Sequence, residues 1–224
     1  MHYSTLISST LLATAAATAI PGLTRRDPLT KRAEKTWDPN GNLKLTFSSE
    51  TVKIGSLSID DIIAKIYEVC HETGQCETST IDMKSMLLSS ETATALKVSI
   101  DPAGSYPTWI RNGLVDALAA ATKAVAKCTQ GTHTNTCAGS TAMAYCPRRK
   151  TKYTNCEVPK YWGVNFQDPK EANAAPPSMG LDVAVEEAGD AAACEDAMAG
   201  LGAVAGAVHG VGGGIFTLLT FACT

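Results

Sequence analysis

The sequence predicts an α+β fold: a mainly antiparallel sheet with two or three helices packed on one face, stabilised by disulfides. Short segments such as Leu43-Lys44-Leu45-Thr46-Phe47 alternate apolar and polar residues, the pattern of a strand with one buried face. Such segments come in pairs between stretches of helical period, which favours antiparallel pairing over a doubly wound parallel sheet. All eight cysteines lie beyond an apolar leader, as in a chain that oxidises outside the cytosol.

The leader comes first. Leu6 to Ala19 is apolar, and Ala17-Thr18-Ala19 puts small residues where a signal peptidase reads them, so residues 1–19 read as a signal peptide cut before Ile20. The run is shorter than the ~20 residues a transmembrane helix needs. Residues 20–32 carry Pro21, Pro28 and the basic pairs Arg25-Arg26 and Lys31-Arg32. They read as a propeptide, because an extended polar segment ending in a basic pair fits the acidic subsites of a processing protease. Residues 33–224 are then expected to form a single secreted α+β domain. Of 19 Lys and Arg, four (Arg25, Arg26, Lys31, Arg32) precede Ala33, leaving 15; of 22 Asp and Glu only Asp27 does, leaving 21, so the domain carries −6. That balance disfavours nucleic acid as a partner.

Along the domain, Leu43 to Phe47 predicts a strand and Val52 with Ile54 a second one. Ser58 caps a helix whose Asp60 and Asp61 sit near its positive end, with Ile59, Ile62, Ile63, Ile66 and Val69 on one face and Gly74 as its stop. Ile81, Met83 and Met86-Leu87 give a weaker strand pattern, and Leu96, Val98 and Ile100 a clear one ended by Asp101-Pro102. A second helix is expected from Pro107 to Cys128, with Trp109, Ile110, Leu114, Leu118, Ala121 and Val125 inward. Ser140 to Cys146, Tyr161 to Gln167, and the alternation Met179, Leu181, Val183, Val185 predict further strands; Asp168 to Pro177 reads as a loop. Asp190 can cap a helix running to His209, and Ile215 to Cys223 reads as a terminal strand.

Cys70, Cys76, Cys128, Cys137, Cys146, Cys156, Cys194 and Cys223 permit four disulfides. No Cys-x-x-Cys or paired-histidine spacing occurs, so no metal site or other cofactor is expected. One pairing follows from dimensions. A helix from Cys194 to Val208 advances ~21 Å, and a strand from Ile215 to Cys223 returns ~26 Å. With Gly212-Gly213-Gly214 as the turn, Cys194 and Cys223 meet; one straight helix would separate them by ~43 Å.

Gly202, Gly206, Gly210 and Gly214 recur every four residues. Glycine costs about 1 kcal/mol relative to alanine within a helix, so close backbone approach is expected in return. That approach is either to the alanine-rich second helix or, in a membrane-active form, to another helix in a bilayer. Soluble packing is favoured, because Ala and Gly contribute little transfer energy into lipid.

Catalytic signatures are lacking: no serine stands in Gly-x-Ser-x-Gly. His71 reads as a helix-end cation, while His133 and His209 fall in a loop and at a glycine-rich helix end. Asp60-Asp61 and Glu186-Glu187 could supply paired carboxylates for sugar hydrolysis, but adjacent acids at such positions are usually solvated. Arg148-Arg149, ahead of Lys150, offers a second processing site or a basic docking patch.

The leader, the Lys31-Arg32 site, a mature length of 192 residues (224 less 32) and the even cysteine count together resemble fungal secreted effector and killer-toxin-like proteins matured by a kexin-type protease. The resemblance implies an extracellular module that binds a target: a protein, cell wall or membrane. Two alternatives stand beside it, a membrane-permeabilising toxin using Gly202 to Gly214 and a secreted hydrolase with an unrecognised site.

Overall fold

The computed structural model describes residues 33–134, 149–167, 175–185 and 193–224. These residues belong to one compact unit. In chain order its elements are β1 (Ala33–Thr36), β2 (Leu43–Phe47), β3 (Thr51–Gly55), α1 (Ile59–Val69), β4 (Ile81–Leu88), β5 (Ala93–Ser105), α2 (Arg111–Val125), β6 (Lys127–Thr134), β7 (Lys150–Pro159), β8 (Tyr161–Phe166), β9 (Ser178–Val185), α3 (Ala193–Ala199), α4 (Leu201–His209) and β10 (Leu218–Cys223). Seven strands make one sheet in the order β1-β10-β2-β8-β9-β5-β4, and β3-β7-β6 make a second. Every described pairing is antiparallel except β10 with β2.

Alternation decides which face of the large sheet is buried. Leu43, Leu45 and Phe47 of β2 point the same way as Trp162, Val164 and Phe166 of β8 and Met179, Leu181 and Val183 of β9, and all are buried. Against this layer packs α2, in contact with β8 and β9 and flanked by α1 and α4. Helix α1 follows its sequence signals: the Ser58 hydroxyl accepts the Asp61 amide at 3.0 Å, and Ile59, Ile62, Ile63 and Ile66 are buried. Each such isoleucine contributes about 2 kcal/mol of burial.

The structure departs from the sequence reading at several places. Strand β5 does not stop at Asp101-Pro102 but runs on to Ser105. Past Ile100 it has outrun β4, so Pro102 has a ladder partner only in β9, before Gly104 and Ser105 meet Gln75 and Cys76; proline is tolerated where one side of a strand lacks a ladder neighbour. The second helix begins with a 3-10 turn at Thr108–Ile110 and ends at Val125, because Cys128 belongs to β6. Trp109, expected inward, is 69% exposed. Strands β1, β6 and β7 were not expected at all, and His133 lies in β6 rather than in a loop. Gly200 divides the last helix into α3 and α4, and the terminal strand begins at Leu218 rather than Ile215. The expected strand Ser140 to Cys146 and the cap Asp190 lie outside the described residues.

The end of α1 is also built differently. The helix stops at Cys70 rather than Gly74 and carries no basic residue in its last turn. His71 lies beyond it and meets Glu77 at 2.7 Å. The cation comes instead from α2: Arg111, only 9% exposed, donates through Nε to the Cys70 carbonyl and through Nη2 to the Tyr67 carbonyl. Its guanidinium also lies 5.3 Å from the Tyr67 ring centre. Free carbonyls and the negative end of the helix dipole both favour a cation there.

Six described cysteines pair as Cys70–Cys76, Cys128–Cys156 and Cys194–Cys223. The last joins the start of α3 to the end of β10 across a Cα–Cα distance of 5.9 Å, the pairing expected if the glycines turn the chain back. Cys137 and Cys146 lie outside the described residues.

Candidate functional site

Opposite the helices, the large sheet turns Asp101, Ala103, Ser105 and Asp182 to solvent. The registers of β5, β9 and β8 arrange this surface in three rows across the strands. Asp101, Asp182 and Tyr161 form the first; Ala103, Gly180 and Gly163 the second; Ser105, Ser178 and Asn165 the third. Larger groups at the ends and small ones between leave a trough of about 300 Å³.

Glycine is required in the middle row. A Cβ on Gly163 would lie 2.6 Å from the Tyr161 phenol oxygen, and one on Gly180 would lie 2.9 Å from that oxygen and from the Trp162 carbonyl. The Tyr161 ring therefore folds down over both glycines and becomes part of the floor. Burial, then the Asp182 carboxylate beside it, pushes the Tyr161 phenol above its ordinary range, so the ring presents a neutral hydroxyl at neutral pH.

Asp101 and Asp182 are direct cross-strand partners. The Thr80 hydroxyl donates to Asp101, whereas the Asp182 carboxylate, beside the Tyr161 phenol, makes no side-chain hydrogen bond or ion pair among the described residues. Like charges facing each other across two strands destabilise a sheet. The surrounding lysines are engaged elsewhere: Lys97 with Asp82 at 2.8 Å, Lys44 with Glu34 at 3.1 Å and Lys160 with Glu50 at 3.3 Å. Among the described residues no group of three or more His, Cys, Asp or Glu could hold a metal ion. What the trough can do is accept hydrogen bonds at one end, exchange them at the other, and offer an aromatic face between.

A second concavity of about 450 Å³ lies on β6 and β7, where the Tyr153 ring covers Gly131 beside Gln130 and Lys152. It repeats the tyrosine-over-glycine arrangement without the opposed carboxylates.

The residues singled out from sequence are scattered. Lys31, Arg32, Arg148 and Glu186-Glu187 lie outside the described residues, while Arg149 is exposed just before β7. Asp60 pairs with Lys123 at 2.5 Å, and Asp61 stands at the α1 cap. His133 Nδ1 lies 2.8 Å from the Ser89 carbonyl. The glycine ladder does not mediate close helix packing: Gly202, Gly206 and Gly210 are exposed, and a Cβ on Gly206 would meet nothing within 4 Å. Helix α4 packs instead through Leu201, Val204, Ala205 and Val208. Gly214 has another function, adopting φ +87° in the turn toward β10. The tight contact near α2 is at Gly113, where a Cβ would lie 2.3 Å from the Phe216 ring.

Sequence reasoning located strands β8 and β9 but missed the trough. The available signal was the run of small or polar residues at their outward positions, Gly163 and Asn165 on one and Ser178, Gly180 and Asp182 on the other. No protein-family model, no curated protein and no solved structure matches the chain.

Proposed function

We propose that the chain is a secreted, disulfide-stapled effector or toxin-like protein, trimmed after Arg32, that acts by binding an extracellular or target-cell component through the trough. The observation that carries this is the three-row arrangement of Asp101, Asp182 and Tyr161 against Ser105, Ser178 and Asn165 around a small-residue floor. Convergent polar groups in a concavity are the usual form of a binding site. Trimming is supported by the basic pair Lys31-Arg32 that directly precedes Ala33. Three disulfides suit an oxidising compartment.

Expression of the full chain in a secreting host tests both parts. Amino-terminal sequencing of protein from the medium should begin at Ala33; material beginning at Met1 ends the processing reading. Labelled protein should then bind intact yeast cells or isolated plant cell walls, and Ala103→Trp, which fills the floor from an exposed position, should abolish that binding with an unchanged thermal midpoint. Wild-type binding by this variant would remove the trough from the account.

A membrane-permeabilising reading has one observation in its favour. Gly202, Gly206 and Gly210 face outward, and Gly202 lies beside the exposed Trp37, with 3.8 Å between the indole and its would-be Cβ. No described helix is long and apolar enough to cross a membrane. Dye release from liposomes by wild type, lost in Gly206→Leu, would favour this reading over the first.

A further inference from the structure

Granting that the trough is the binding surface, we infer that its ligand is a cationic amino sugar chain, a polymer of hexosamine units with free amines. The opposed Asp101 and Asp182 carboxylates set the charge. The trough lining includes no lysine, arginine or histidine, and the neighbouring Lys97, Lys44 and Lys160 are held by Asp82, Glu34 and Glu50. An ammonium group seated between the two aspartates replaces their repulsion with two charge-assisted hydrogen bonds. Beside it, the Tyr161 ring lies on Gly163 and Gly180 and presents a flat surface suited to a cation or to the C–H face of a sugar ring.

Length and polarity then separate an amino sugar from a lone amine or a basic peptide. Ser105, Ser178 and Asn165 stand four residues along their strands from the first row, ~13 Å away at the rise of an extended strand. A ligand that meets both rows is longer than a single ammonium-bearing side chain and carries hydroxyl or amide groups at its far end. An extended peptide would need pockets for alternate side chains. Here the floor is Ala103 and Gly180 beside the Tyr161 ring, which form no such pocket, and β8 and β9 already have a strand on each side. A hydroxyl-rich ring polymer fits a shallow polar floor.

Titration calorimetry of the secreted full-chain product, at mildly acidic pH, against three probes tests the inference: a deacetylated chitosan oligomer, the acetylated chitin oligomer of equal length, and poly-L-lysine. The chitosan oligomer should bind, more weakly as salt is raised, and at least about tenfold more tightly than the acetylated oligomer. Asp182→Asn should weaken chitosan binding about tenfold or more, with a thermal midpoint equal to or above wild type, because one of two opposed charges is gone. Equal affinity for the acetylated oligomer, or indifference to Asp182→Asn, overturns the cationic assignment. Tighter, Asp182-dependent binding of poly-L-lysine assigns the trough to basic polypeptide and overturns the sugar. Loss of cell binding in Ala103→Trp, with no chitosan binding by wild type, sinks this inference alone and leaves the surface standing. Cell binding retained in Ala103→Trp sinks the surface itself.

Discussion

Replacing Arg111 with methionine keeps most of the side chain's length and apolar volume while removing its charge and donors. In the native fold the guanidinium serves the Cys70 and Tyr67 carbonyls, donates to Asn112 Oδ1 at 2.8 Å and lies over the Tyr67 ring. Hydrogen bonds to a charged group contribute about 1.5–3 kcal/mol each, and stranding a buried carbonyl costs about 1–3 kcal/mol. Cys70 is fully buried, so water cannot readily replace the lost donor there, whereas at the edge of the site it can. A net loss of about 3 kcal/mol follows. For a domain of this size that lowers the thermal midpoint by about 6–12 °C. Urea unfolding followed by circular dichroism, with disulfides intact, measures it directly. Arg111→Lys should recover less than half, because one ammonium cannot span two carbonyls as the planar fork does. An Arg111→Met unfolding free energy within about 0.5 kcal/mol of wild type would refute the view that this residue closes the end of α1.

Gly206→Ala should stabilise the protein by about 0.5–1 kcal/mol, since the added methyl meets nothing within 4 Å; Gly113→Ala should destabilise it by about 1–3 kcal/mol, because Phe216 occupies that space, and denaturant titrations read both. Removing the Cys194–Cys223 bridge by paired Cys→Ala substitutions opens a loop of 29 residues and should cost about 3.5 kcal/mol by chain entropy, checked by urea unfolding with the other bridges verified by mass spectrometry. Tyr67, Tyr106 and Tyr161 have phenol pKa values raised above the ordinary 10.0, burial being the first cause for each. A raised folded-state value means stability fully present below about pH 10 and lost as pH climbs from there through the folded values. Ultraviolet titration should show these phenols ionising late, and Tyr161→Phe should flatten part of the alkaline stability loss.

What could be read from the sequence was what neighbouring residues decide among themselves. Ser58, Asp60, Asp61 and the isoleucine face specify α1 locally, and the alternation Leu43-Leu45-Phe47 specifies β2. The pairing of Cys194 with Cys223 followed from two segment lengths and one glycine turn. Pairings between distant segments were less legible. Pro102 looks like a strand stop until β5 is seen to outrun β4. Polar β6, with Gln130, Gly131 and His133, lacks an apolar alternation to betray it, because its partner β7 supplies the order through the ladder. His71 was the sequence candidate for the α1 terminus, yet the cation came from Arg111, 41 positions beyond Cys70. The trough suffered the same limit: Asp101 and Asp182 become neighbours only through the β5–β9 register.

Among the described strands, β1 has a single partner, β10, and β2 gains one of its two neighbours from β10 as well. During synthesis from the amino end, residues 33–36 emerge early and stay without a partner until residues 218–223 follow. Half of the ladder around β2 waits equally long. Completion of the large sheet is therefore a late event, after nearly all of residues 33–224 have left the ribosome, and until then those edges stand open to unrelated strands.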